Sequence, residues 1–353
     1  MSGQDAAMDG QGTAQDGEAD QNGRPHVQVA MEAAMYLSEE SAGEPEPEEE
    51  DITELVVEDP DLLDLDLTHS RIAKIKNLEP LTRVETICLR NNLIKKLEGL
   101  TTLATLKELD LYDNQLTHIE GLEALVNLEQ LDLSINRLRK IEGLEALTKL
   151  ERLYLVNNKI SKIENIGHLT HLRMLELGDN KIRVLENLES LTRLESLFVG
   201  KNKISKLQGL DTLVNLRTIS VQSNRLLKME GLDKLESLEE LYISHNGLER
   251  IEGLQCNLCL TTLDLAGNRI TRIENISHLE QLAEFWFNDN GLAHWEDLRQ
   301  FESLKKIETV YFERNPIWYD TTDKQTQKPD PSYRRKVKLA IPWIRQIDAT
   351  MAG

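Results

Sequence analysis

Apolar positions recur along most of this chain in one fixed order. Around the middle of the first half they fall at Leu106, Leu109, Leu111, Leu116, Ile119 and Leu122, with a polar Asn114 held among them. The order returns every 22 residues, and its asparagines mark it: Asn92, Asn114, Asn136, Asn158, Asn180, Asn202, Asn224, Asn246, Asn268 and Asn290. One further unit precedes these, with Ser70 at the asparagine place, and one follows at Asn315 after 25 residues. In each unit two apolar residues flank a variable one, as in Leu131, Asp132 and Leu133. That alternation is a short strand with the leucines inward and the middle residue outward.

A fixed period of this length predicts units that cannot bury their apolar faces alone and so stack on their neighbours. The expected fold is an α/β repeat solenoid, a leucine-rich-repeat horseshoe of 12 turns with a parallel sheet on its concave side. The asparagine three residues after the second leucine reads as structural, because its amide can bond backbone groups of adjacent turns. Seven residues further on stand Asn77, Gly99, Gly121, Gly143, Asn165, Asn187, Gly209, Gly231, Gly253 and Asn275. Gly and Asn enter the left-handed region at least cost, so the chain is expected to bend there toward the convex side. With 22 residues per turn that side has room for a brief 3₁₀ or single-turn helix.

Charge divides the chain. Residues 1–59 hold 17 acids against the single Arg24, which leaves about −4 of the total −20 for the repeats. Composition marks residues 1–51 as a disordered acidic segment, with a transient helix over 27–37. Residues 52–317 form the repeat domain, opened by an N-terminal cap at 52–62. A loop and C-terminal cap follow at 318–353, with Ser332 as N-cap of a helix, Val337 and residues 339–341 as its apolar face, and Pro342 as its stop. No basic footprint for nucleic acid emerges. No 18-residue apolar run and no leader is visible, and Cys88, Cys256 and Cys259 make no disulfide framework. These features predict a soluble intracellular protein that engages no membrane. Lys140, Lys162, Lys206, Lys228, Arg250 and Arg272 stack beside Glu142, Glu164, Glu230, Glu252 and Glu274, a solvated edge of mutually offset charges.

Candidate chemistry is thin. Ser244 beside His245 suggests a nucleophile and base, but no carboxylate is placed to orient them, and both read as surface. His168 and His171 lack further metal ligands, and the Cys256/Cys259 pair has no second pair to complete a zinc site. The sequon at Asn275 reads as unused in an intracellular chain. No cofactor, metal or catalytic residue is expected, and the chain reads as a non-enzyme.

The outward residues of the strands carry more. In order they are Asp66, Cys88, Asp110, Asp132, Tyr154, Glu176, Phe198, Ser220, Tyr242, Asp264, Trp286 and Tyr311. Five acids and five aromatics share twelve places, and Glu240 and Glu284 stand beside them. Aromatics lined up on a rigid sheet suit binding hot spots. The expected partner is a globular protein with a basic, partly apolar surface.

Several stretches go beyond the generic repeat: Leu-Tyr-Asp-Asn-Gln at 111–115, the run at 155–165, Ser-His-Asn-Gly at 244–247, Glu-Phe-Trp at 284–286, and cap segments at 333–337 and 345–350. With these, residues 60–350 resemble the leucine-rich regulatory subunits of protein phosphatase 1 (the regulatory subunit 7 family). The resemblance implies a non-enzymatic subunit that embraces the phosphatase catalytic subunit with its concave face. It implies control of activity, maturation or localisation in nucleus and cytoplasm, with room for a further phosphatase regulator in a ternary complex. Carried over by position, the contacts fall on Asp132, Tyr154, Glu176, Phe198, Asp264, Glu284, Trp286 and Tyr311; Tyr242 joins them from the column itself. Tyr154 stands where the family commonly has Phe, and the 318–330 loop is longer than the family's. Two other readings stay open. One is a ciliary or ribonucleoprotein scaffold with a different protein partner. The other is a GTPase activator presenting Arg90 or Arg314.

Overall fold

A computed structural model describes residues 29–31, 53–55, 59–320 and 328–352. Strands β1 (Val29–Met31) and β2 (Thr53–Leu55) pair antiparallel. A strand therefore stands within the stretch where a transient helix was expected. The rest of the segment expected to be disordered lies outside the described residues, as does most of the expected N-terminal cap.

Twelve three-residue strands then follow in register. They are β3 (Asp64–Asp66), β4 (Thr86–Cys88), β5 (Glu108–Asp110), β6 (Gln130–Asp132), β7 (Arg152–Tyr154) and β8 (Met174–Glu176). The other six are β9 (Ser196–Phe198), β10 (Thr218–Ser220), β11 (Glu240–Tyr242), β12 (Thr262–Asp264), β13 (Glu284–Trp286) and β14 (Thr309–Tyr311). All are parallel and in sequential order, bounding eleven complete turns of the predicted solenoid. Two short strands extend the sheet where the sequence indicated only a cap: β15 (Gln346–Ile347), parallel to β14, and β16 (Thr350–Met351), antiparallel to β15.

The leucine stripes are buried almost completely; Leu109, Leu131, Leu153 and Leu175 are at most 1% exposed. Every turn adds one such layer, and each layer is closed only by the next. In the last turns the layers become aromatic, with Phe285, Phe287, Phe301 and Phe312 packed at centroid distances of 5.3 to 6.2 Å.

The asparagine ladder forms as expected. Asn158 Oδ1 accepts from Leu138 N at 3.0 Å, while its Nδ2 donates to Leu133 O at 3.0 Å and Leu155 O at 3.2 Å. One side chain thus satisfies backbone groups of two turns in a dry interior. All ten Gly and Asn positions expected at positive φ have it, from Asn165 at 57° to Gly253 at 75°. At Gly253 a Cβ would also lie 2.7 Å from Met229 O, so glycine is required there twice over.

The convex side is tighter than expected. Between Leu100 and Leu106 the chain makes two successive reverse turns, Leu103 N to Leu100 O and Leu106 N to Leu103 O, and later units repeat them. A 22-residue period leaves too little chain for more. Among the described residues, 3₁₀ helix forms at Trp295–Phe301, inside the one 25-residue unit, and at Pro316–Trp318 after the last asparagine.

The C-terminal helix α1 (Tyr333–Ala340) caps the last layer with Tyr333, Val337 and Ile341. Leu339, assigned to its apolar face, is 71% exposed. Ser332 is not the side-chain cap either, being in helical conformation with no capping bond of its own. Asp330 takes that role, accepting from both Ser332 N and Oγ at 2.7 Å. Buried Asp348 ties the cap to the sheet by accepting from Phe312 N at 2.9 Å and Tyr333 OH at 3.3 Å.

Candidate functional site

Cross-strand register places the predicted column on one line. Asp132 pairs with Tyr154, Tyr154 with Glu176 and Glu176 with Phe198. Further along, Tyr242 pairs with Asp264, Asp264 with Trp286 and Trp286 with Tyr311. Neighbouring members are therefore about 4.8 Å apart along the sheet.

The column is not uniformly exposed, as the sequence reading assumed. Asp132 and Asp264 are buried, at 7% and 2% exposure. Each bends one oxygen back onto its own chain: Asp132 Oδ1 accepts from Ser134 N at 2.9 Å, and Asp264 Oδ1 from Ala266 N at 3.0 Å. An Asp here ends the strand by bonding two residues ahead, which is a structural use of a presumed recognition residue. The second oxygen of each faces the hollow, taking Arg90 Nη2 at 3.4 Å and Gln222 Nε2 at 3.1 Å respectively. Tyr154, Phe198, Tyr242, Trp286 and Tyr311 are half-buried, because curvature crowds the concave surface.

Four predicted residues come together in one depression. Asp132, Tyr154, Glu176 and Phe198 line a hollow of about 660 Å³ with Arg90, Tyr112 and Ile135. Gly178 and Gly200 lower its floor; a Cβ on Gly178 would make only ordinary contacts, so its backbone does not demand glycine. Glu176 sits between the Tyr154 and Phe198 rungs, where burial first and the Asp132 charge second raise its carboxyl above the ordinary range. Asp110 is likewise raised, chiefly by burial.

The other predicted residues form a second station further along the sheet. Trp286 and Tyr311 lie with ring centroids 5.3 Å apart. The Trp286 Nε1–H is buried and has no hydrogen-bond acceptor among the described residues. Tyr242 donates to Glu240 Oε2 at 3.4 Å, and burial followed by the Glu240 charge pushes its phenol up to about 12. Glu284 lies beside Trp286 on the same strand, half-buried.

The sequence reading considered Arg90 only as a trans-acting finger and missed its place in the hollow. Arg90 stands two positions past the column, paired with Asp110 at 2.5 Å and lying 4.7 Å from the Tyr112 ring centroid. Reading the residue after the second leucine as carefully as the one before it would have put Arg90, Tyr112 and the two glycines there. The residue after that is in the left-handed region in every turn, and at Ile135 (φ 52°) it is β-branched, a conformation such side chains rarely adopt.

Ser244, taken as surface, is 4% exposed. His168 and His171 face backbone carbonyls of the preceding turn at 2.8 and 3.1 Å. Among the described residues, no group of three or more His, Cys, Asp or Glu is arranged to hold a metal ion. Both arginines considered as trans-acting fingers are engaged, Arg314 with Asp289 at 2.6 Å and with Glu313.

Comparison with known families agrees with the fold. The leucine-rich-repeat model matches residues 152–247, a two-copy leucine-rich-repeat model matches 104–146 and 127–169, and a single repeat matches 256–271. The chain is a leucine-rich-repeat protein. Solved leucine-rich-repeat structures superpose on it at low identity. An internalin from Listeria monocytogenes has TM-score 0.65 and 23% identity over 86% of this chain and 92% of its own. A Leptospira interrogans leucine-rich-repeat protein has TM-score 0.61 and 21% identity over 76% and 73%. Over a short stretch the chain is also similar to proteins named for phosphatase regulation. Protein phosphatase 1 regulatory subunit 7 of Homo sapiens is 55% identical over 56 residues, 16% of this chain and 13% of the relative. The subunit named SDS22 of Schizosaccharomyces pombe is 49% identical over 53 residues, 15% and 13%. The chain thus matches about an eighth of these relatives' length.

Proposed function

We propose that this leucine-rich-repeat protein is a non-enzymatic regulatory subunit that binds the catalytic subunit of protein phosphatase 1 through its concave face. The observation that carries the reading is the register line of acids and aromatics, which ends in the Trp286 and Tyr311 ring pair. A rigid parallel sheet presents these side chains without ordering cost, and half-buried Trp and Tyr are the residue types that dominate binding energy. The relatives' names supply the class of partner, and the acidic neighbours of the aromatics suit a basic surface.

On this reading the subunit controls the phosphatase's activity, maturation or localisation in nucleus and cytoplasm, and leaves room for a further regulator in a ternary complex. Removing the rings at both stations, with Phe198→Ala and Trp286→Ala together, should leave the fold intact and abolish capture of the catalytic subunit from lysate. Capture by wild type and variant alike would keep the partner and remove the concave site. No capture by wild type would favour a scaffold with another protein partner.

A further inference from the structure

One rim of the solenoid carries charge of which only Asp179 and Lys201 line the concave hollow. The residue just after Ser70 and then after each repeat asparagine runs Arg71, Leu93, Gln115, Arg137, Lys159, Lys181, Lys203, Arg225, Gly247, Arg269, Gly291 and Pro316, and the cations are unbroken from Arg137 to Arg225. Backbone bonds stack the five from Arg137 to Arg225: Lys159 N donates to Leu138 O, Lys181 N to Ile160 O, Lys203 N to Ile182 O and Arg225 N to Ile204 O, at 2.7 to 2.8 Å. They form a ladder of five cations with rungs about 4.8 Å apart, roughly 19 Å long. None of the five side chains makes a hydrogen bond or ion pair with any described residue. Over the five turns the rim positions 135–140, 157–162, 179–184, 201–206 and 223–228 hold twelve Lys and Arg against the single Asp179. The flanking lysines differ: Lys162 and Lys206 reach Glu164 and Glu230 at 3.9 Å.

Like charges held this close in parallel repel unless an anion lies across them. We propose that the ladder is a docking groove for an extended acidic peptide, and that its occupant is this chain's own residues 44–51. That stretch carries Glu44, Glu46, Glu48, Glu49, Glu50 and Asp51, with Pro45 and Pro47 favouring extension. Extended, eight residues cover about 25 Å, enough for all five rungs. The eight residues from Asp51 to Asp59 reach at most about 27 Å; from Asp59 the first rung, Arg137, is three turns or about 14 Å along the solenoid and about 10 Å across it, the length of one three-residue strand. Tethering raises the local concentration of the segment to the order of millimolar, so weak charged contacts suffice. A single-stranded nucleic acid fits less well, since those rim positions hold no aromatic side chain on which bases could stack.

Carbodiimide cross-linking of the full chain tests this, because it joins a carboxylate to an amine only where they touch. The expected products are intramolecular links from residues 44–51 to Lys159, Lys181 and Lys203, lost in high salt. The variant Arg137→Gln, Arg225→Gln keeps every lysine and every acid, yet should lose these links. Links scattered evenly over the body, links unchanged in the variant, or links found only between two copies would overturn the proposal. So would polyuridylate binding at the rim of a chain that shows no such links.

Discussion

At the scale of single residues, the fold rests on side chains that serve backbone groups. Asn158→Ala leaves buried donors and acceptors of two turns without partners, each worth about 1–3 kcal/mol when unmet. Urea unfolding should show a loss of roughly 2–5 kcal/mol, against little change for a surface control. Glu176 is the opposite case, a residue kept at some expense to stability. Its folded-state pKa is raised by burial, then by Asp132. The increment from its protonated form is therefore complete below the ordinary carboxylate range and lost as pH rises through the raised value. Glutamine never ionises, so Glu176→Gln should stabilise the fold slightly at neutral pH, and the gain should vanish in acid. The same change should weaken capture of the phosphatase subunit. A thermal melt at pH 7 and pH 4 beside a binding assay would check both; no gain at neutral pH would mean that Glu176 is well solvated. Ile135, on the rim of the same hollow, is held at φ 52° by the turn that every repeat makes there, a cost to a β-branched side chain that its polar counterparts in other turns bear more easily.

At the scale of elements, what was legible in the sequence was what repeats. Strands, inward leucines, the asparagine ladder and ten positive-φ positions all followed from a period, because each recurs in the same surroundings. What failed was what occurs once. Leu339 and Ser332 look apolar-faced and capping by local rule, but helix α1 is oriented by Tyr333, Val337 and Asp348 meeting a layer built far away in sequence. Strands β15 and β16 have no repeat signal and pair only because β14 offers an edge. In the candidate site the column itself was legible, whereas the burial of Asp132 and Asp264 depends on curvature that no single unit encodes. The cap yields its own test. Lys336 and then Ser332 hold the Asp330 carboxyl down to about 2. A depressed acid contributes above its unfolded value near 4 and loses that contribution as pH falls toward 2. Hydrogen exchange in α1 should accelerate across that interval in wild type, while Asp330→Asn should exchange faster at neutral pH and show no such step.

At the scale of the whole molecule, the solenoid is a ruler. Each turn stacks on its immediate neighbours, and only long side chains such as Arg90 and Gln222 reach one turn further, so the two stations of the concave face are separated by a fixed number of rungs rather than by a flexible linker. Phe198 on β9 and Trp286 on β13 are four strands apart, about 19 Å along the sheet. They share no hydrogen bond and no ring contact. If a rigid partner is gripped at both stations, each alanine substitution removes its own contact and nothing else. Phe198→Ala and Trp286→Ala should then each weaken binding by about 1–3 kcal/mol. The double variant should match their sum within about 0.5 kcal/mol, as for independent sites. Calorimetric titration of the four proteins against purified phosphatase catalytic subunit measures this directly. A coupling well above that figure would mean that the horseshoe flexes to close on its partner, so that losing one station relaxes the strain at the other. A zero effect at one station would confine the grip to the other half of the sheet.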